Sequence, residues 1–245
     1  MYNYKKKCYY LGMLGYIRDT KKKAFTLAEV MGAVLVLSII FLLCIPFILQ
    51  TQEKIKTEML LKKSYNTLSR AMQMSFLDNG NLGNWGFAGT EADRNIIKTN
   101  ILPYISVAEN CLYGNTNCAP KENYKTLKNR STDKNFSASP SFIINGGMLY
   151  TFEFTGPCRK DGSQCAIVYV DINGKKEPNK FGRDLFAFTL INSTGLSIMP
   201  YNHQLSADML INDPQKGCNR ASEYAMNCAS LIMDNGWKIE KNYPW

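Results

Sequence analysis

The chain has 245 residues, 45% of them hydrophobic, and a formal charge of +9; this is enough for one or two domains. Seven cations and one acid fall in residues 1–24, so +6 of the charge belongs to that segment and +3 to the rest. Charge confined in this way argues for a targeting signal and against a nucleic-acid-binding body. One histidine, His203, and no HExxH, GxSxG or phosphate-loop motif leave no pattern for hydrolase or nucleotide chemistry, and the expectation is a non-enzyme. Glu153 and Asp161 are the nearest thing to an acid–base pair, and exposed acids ordinarily only solubilise.

Residues 1–24 read as a cytoplasmic leader, with Met13 as an alternative start. Lys21, Lys22 and Lys23 stop at the small residue Ala24, and Phe25–Leu49 then forms an apolar run whose one ionisable side chain is Glu29. As a helix this run is about 37 Å long, enough for a hydrocarbon core of about 30 Å. The lysines hold the leader in the cytoplasm, which places the remaining chain outside. A carboxylate within an apolar helix is costly unless paired. Two readings of Glu29 stand side by side. One pairs it with an amine freed by cutting after Ala24 and supplied by a neighbouring copy. The other is a simple signal anchor with Glu29 near the lipid headgroups.

Ala24-Phe25-Thr26-Leu27-Ala28-Glu29-Val30 resembles the cleavage and methylation motif of type IV pilins and type II secretion pseudopilins. The resemblance runs from about Lys21 to Ser75, with Ala in place of the usual Gly at the cut. It implies cleavage by a prepilin peptidase between Ala24 and Phe25, N-methylation of Phe25, and an assembly role for Glu29 against the adjacent subunit's amine. Pro46 falls where many pilins carry a helix-kinking proline, and a mid-helix proline removes a backbone hydrogen bond. The implied partners are the prepilin peptidase, other pilin subunits in a homo- or hetero-filament, and an inner-membrane assembly platform.

Beyond Gln50 the helix becomes amphipathic. Ile55, Leu61, Tyr65, Leu68, Met72 and Phe76 recur at helical spacing among lysines and Arg70. Asp78-Asn79-Gly80 is a stop signal. The expected organisation is therefore leader 1–24, transmembrane half-helix 25–50, amphipathic half-helix 51–78 and extracytoplasmic head 79–245. Trp85 and Phe87 are expected to anchor a loop, and Arg94–Ser106 to hold a short helix ending near Pro103. Residues 119–139 read as an exposed excursion. Gly146-Gly147 between apolar runs 141–145 and 148–155 signals a tight turn. Further strands are expected at 165–172, at 185–191 and, shorter, at 195–201. Together they predict an α+β head of two layers, three to four antiparallel strands packed on the long helix. The tail after 202 reads as irregular, with a short helix over 225–233 and Trp237, Tyr243 and Trp245 packing back on the head.

Cys8 lies in the leader and Cys44 in the membrane run; the other six cysteines form close couples in the outer region. That usage predicts disulfides in an oxidising compartment, and of 15 pairings the sequential set is favoured: Cys111–Cys118, Cys158–Cys165 and Cys218–Cys228. Zinc is disfavoured, since no CxxC is present. One loop, 171–184, offers oxygen side chains at Asp171, Asn173, Asn179 and Asp184 around Gly174. It is a candidate calcium site, set against the plainer reading of a hairpin loop. Lysines 121, 125, 128, 134, 175, 176 and 180, with Arg130 and Arg183 and the interleaved Tyr124 and Phe136, are the only candidate nucleic-acid patch. Nearby acids balance them, and nucleic-acid binding is not expected. The functional expectation is a pilin or pseudopilin subunit, single-pass in the inner membrane before assembly and then part of a periplasmic or cell-surface filament. The alternative is a monomeric membrane-anchored extracytoplasmic binding protein.

Overall fold

A computed structural model of the chain describes residues 25–114, 118–156, 158, 164–192 and 198–245. The chain divides into two compact units between Leu49 and Gln50. Helix α1 runs from Leu27 to Asn79. Its residues up to Leu49 are apolar and exposed, and it is the one helix among the described residues long and apolar enough to cross a membrane. Pro46 lies inside it, where its ring replaces the amide that would bond one turn back. The helix stops where the sequence signals it: Gly80 takes φ +71° and its N–H closes on the Phe76 carbonyl at 2.9 Å, the left-handed exit that glycine adopts without strain.

Within residues 50–245, α1 buries Leu61, Leu68, Ala71 and Met72 together with Thr57, Glu58, Ser64 and Ser75. Ile55 and Phe76, expected on this stripe, are 40% and 50% exposed. Small side chains at 64, 71 and 75 hold those buried positions instead. The hydroxyl of Ser64 satisfies itself on the Leu61 carbonyl at 2.7 Å, so it enters the core without an unmet hydrogen bond.

The sheet has six antiparallel strands in sequential order: β1 Val107–Cys111, β2 Ser141–Ile144, β3 Leu149–Phe154, β4 Gln164–Asp171, β5 Leu185–Ile191 and β6 Ile198–Pro200. This corrects the expected three to four. Each apolar run forms a strand of its own, and β1 adds another that apolar patterning does not signal. β1 is an edge strand with Ala108, Glu109 and Asn110 between its ends. It needs to cover only one side, and a charge there discourages further pairing. Glycines 146 and 147 make the β2–β3 turn, both at positive φ.

Both faces of the central strands are buried. On one face Phe188 stacks on Tyr65 of α1 at 6.1 Å, and the Tyr150 hydroxyl donates to the Ser64 carbonyl. On the other, Tyr169 meets Phe136 at 4.7 Å and Phe181 at 6.3 Å, edge-on. The expected exposed excursion is corrected here. Tyr124, Thr126, Thr132 and Phe136 are buried, so the 119–139 segment roofs the second face. The head is therefore a helix, a sheet and a loop layer, not two layers. Residues 165–171 of β4, all buried, require that cover, because both side-chain rows leave water.

Short helices complete the chain: α2 Asp93–Asn100, α3 Ala207–Asn212 and α4 Cys228–Asp234. Residues 237–245 return to α1: Trp237 packs on Tyr65 at 5.2 Å, and buried Glu58 accepts from Ile239 N and Lys238 Nζ, both at 2.8 Å. Three disulfides join Cys111 to Cys118, Cys158 to Cys165 and Cys218 to Cys228.

Candidate functional site

Two groups of residues carry functional chemistry. The first is the start of α1. Phe25 is exposed, and Thr26 caps the helix: its hydroxyl accepts from Glu29 N at 3.3 Å, while the Glu29 carboxylate accepts from Thr26 N at 2.8 Å and the Thr26 hydroxyl at 2.9 Å. This is a reciprocal capping box, Thr-x-x-Glu, which satisfies two otherwise orphaned amides. Glu29 thus has partners within its own chain. Ala24 lies outside the described residues, as do the leader and Asp161.

The second group is the 171–184 loop. All four candidate oxygen residues meet in one hydrogen-bonded cluster. Asp171 closes β4 and is fully buried; its carboxylate accepts from Tyr124 Oη at 2.9 Å and Asn173 N at 3.1 Å. Asp184, 3% exposed, accepts from Asn179 N at 2.7 Å, Lys180 N at 2.5 Å and Asn173 Nδ2 at 3.3 Å. Gly174, at φ +72°, lies against the Gly147 carbonyl, where any side chain would collide. The loop is therefore pinned to the β2–β3 turn.

The electrostatics of this cluster are those of buried acids. Burial pushes the Asp171 carboxyl well above the usual range, and the Asp184 charge pushes it further. Burial pushes Asp184 up to about 6, against the pull of the Lys180 and Asn179 amides. Asn173 Oδ1 and Asn179 Oδ1 are enclosed and receive no donor. Two repelling carboxylates and two orphaned amide oxygens form an all-oxygen donor set of the kind a hard cation takes. Their donor chemistry is of the kind Ca²⁺ takes. Asn173 and Asp184 open onto a cleft of about 170 Å³ also lined by Glu53, Arg183 and Trp245. A different acid–sulfur group, Glu109 with Cys111 and Cys118, offers no such site, because the disulfide uses both sulfurs.

The candidate nucleic-acid patch does not form as a whole, although Lys128, Lys180 and Arg183 line one cleft. Tyr124 and Phe136 are buried under the loop layer and present no stacking face. Lys134 pairs with Glu153 at 2.9 Å, Lys125 with Glu122 at 3.4 Å, Lys175 with Glu109 at 3.7 Å and Arg183 with Glu53 at 2.7 Å.

Residues 47–245 match the profile of a family of unknown function, DUF6613. The chain belongs to that family. No curated protein and no solved structure matches it. The DUF6613 match takes in all six strands and the whole 171–184 loop, and it begins one residue after Pro46. One site residue of this DUF6613 chain escapes a reading by motif. Tyr124 is 47 positions from the carboxylate it bonds, and nothing local announces that pairing. The capping partner Thr26 was legible, since Thr three residues before Glu ahead of an apolar run is a helix-start signal.

Proposed function

We propose that the chain is a pilin-like structural subunit, made as a precursor, cut between Ala24 and Phe25, N-methylated at Phe25 and assembled into a filament through α1. The observation that carries this reading is the join of three features in one element. The Ala24–Val30 motif leads directly into a capped helix; that helix is apolar and exposed to Leu49; the same helix then supplies the buried stripe beneath an antiparallel, disulfide-braced sheet. A long apolar surface in a helix is stable only in lipid or against other apolar helices. Filament assembly exchanges the first environment for the second. In this proposal the chain is first single-pass in the inner membrane with its head outside, the compartment in which its disulfides form. It then meets the prepilin peptidase, the assembly platform and other subunits.

Glu29 has two successive tasks in this scheme. Within the chain it closes the capping box. In the assembly it faces the methylated amine of the adjacent subunit, and a carboxylate can accept from both at once. The Asp171–Asp184 loop takes calcium as a structural brace for the head, with Asp171, Asn173, Asn179 and Asp184 as ligands. The cation would supply the positive charge that two buried carboxylates lack.

Replacing Glu29 with Ala tests the assembly role. The variant is expected to be cleaved normally and to be absent from sheared or detergent-extracted filaments; normal incorporation would refute the pairing. The alternative, a monomeric anchored binding protein, is separated by the intact mass of protein taken from its own cells, since an anchor that never assembles needs no cut before Phe25.

A further inference from the structure

A second cleft, of about 420 Å³, shares Arg183 and Trp245 with the one at the acidic loop. Three segments distant in sequence build it. Lys125 bridges to Lys180, its N–H on the Asn179 carbonyl at 2.9 Å. The turn that follows, with Asn129 at φ +63°, carries Lys128 to the rim. Arg220 arrives within the loop closed by Cys218 and Cys228. Lys128, Lys180, Arg183 and Arg220 thus converge on one concavity, with Asn129 and Trp245 between them.

The charge there is only partly offset. Arg183 pairs with Glu53 at 2.7 Å, and Arg220 donates to the main-chain oxygen of Trp245 at 2.7 Å. Among the described residues, Lys128 and Lys180 have no acidic side chain in ion-pair range. Of the nearby acids, Glu177 makes no ion pair with Lys180, and Asp184 accepts from the backbone amides of 179 and 180 and from Asn173. Cations gathered within a Debye length repel one another, and an anion relieves all of them together. Arg183 is already held in place, its guanidinium 4.9 Å from the centroid of the Trp245 ring, so little freedom is lost when it binds. Two guanidinium forks and two ammonium groups suit the several oxygens of a phosphate better than a single carboxylate. The cleft is a small concavity whose single aromatic, Trp245, already carries the Arg183 guanidinium, which favours a small ester over a polymer.

We propose that this cleft binds the phosphate group of a small phosphate ester, soluble or presented as a lipid headgroup. The full chain in neutral detergent, stripped of calcium and freed of chelator, is titrated with inorganic pyrophosphate by calorimetry at low ionic strength. In a second arm the micelles are doped with phosphatidylglycerol and tryptophan fluorescence is followed. Two variants lose the same charge: Lys128→Gln/Lys180→Gln in the cleft and Lys62→Gln/Lys63→Gln on the exposed side of α1. Binding is expected to weaken at least about tenfold in the cleft variant alone, as for lost charged hydrogen bonds. Such a loss in the pyrophosphate arm identifies a soluble ester, and in the lipid arm a headgroup. Equal weakening by both variants, or no binding by the native chain in either arm, overturns the proposal.

Discussion

Glu29 and Asp184 are acids that the fold treats differently. Glu29 is solvent-facing within residues 25–49 and is held by Thr26 alone. Glutamine at this position preserves a capping box but carries no charge. Glu29→Gln and Glu29→Ala therefore separate the two tasks: if charge pairing across subunits governs assembly, both variants fail to incorporate. Incorporation rescued by glutamine would mean that the cap alone matters. Asp184 and Asp171 are instead buried with their charge. Their carboxyl pKa values are raised above the unfolded value, so the folded form holds protons that the unfolded form releases. Stability from Asp184 is full below about pH 4 and is lost as pH rises through about 6. For Asp184 the loss is roughly 3 kcal/mol, from a shift of about two units. In calcium-free buffer the unfolding midpoint should fall between pH 4 and pH 7, and millimolar calcium should reverse the fall. Asp171→Asn should be more stable than the native chain at pH 7 without calcium, and should gain nothing from it. A calcium gain that survives this substitution would remove Asp171 from the ligand set.

At the scale of elements, the packing of α1 in the head depends on a polar latch as well as on apolar contact. Glu58 is 8% exposed and ties down Ile239 N and Lys238 Nζ. Glu58→Ala strands a backbone amide in a half-buried position and should cost about 1–3 kcal/mol. Lys238→Ala should cost much less, because that ammonium is largely exposed, and surface pairs contribute about 0–1 kcal/mol. Chemical denaturation of the full chain in detergent measures both, and amide exchange over residues 237–245 should speed up in the first variant only. Equal costs would mean that the salt bridge, not the backbone contact, holds the tail. The sheet core makes a larger demand. Phe188, 1% exposed between Tyr65 and the strands, should cost about 3–5 kcal/mol when cut to Ala.

For the whole molecule, processing and oxidation can be read in one experiment. Intact protein from its own cells should begin at methylated Phe25 and gain two hydrogens for each bridge on reduction. A start at Met1 or Met13 would end the pilin reading. The bridges close loops of seven, seven and ten residues, and each constrains the unfolded chain by roughly 2–3 kcal/mol. They are not equivalent in the native state. Cys218 and Cys228 belong to the main core, whereas Cys111 and Cys118 sit in a small cluster with Leu149. Paired serine substitution at 218 and 228 should therefore destabilise more than at 111 and 118, because it also places two hydroxyls in the larger core.

The sequence alone determined the features that depend on local pattern. The apolar run after Lys23, the helix stop at Asp78-Asn79-Gly80, the Gly146-Gly147 turn and the runs that became β2 to β5 are short-range signals, because helix and strand periodicity act between near neighbours. Tertiary structure alone decided what depends on distant partners. β1 is polar and becomes a strand only by pairing with β2. The 119–139 segment looks solvated until Tyr124 and Phe136 meet Tyr169 and Phe181. The same holds at the sites. Oxygen-bearing residues in 171–184 were visible in order along the chain, but their burial, and hence their raised carboxyl pKa values, follow only from the packed fold. Of the basic cleft, Lys128, Lys180 and Arg183 were visible as candidate cations, but neither their convergence nor the addition of Arg220 was. Lys128, Lys180 and Arg220 are separated by some forty to fifty residues each, and only the packing of three loops places like charges together against their mutual repulsion.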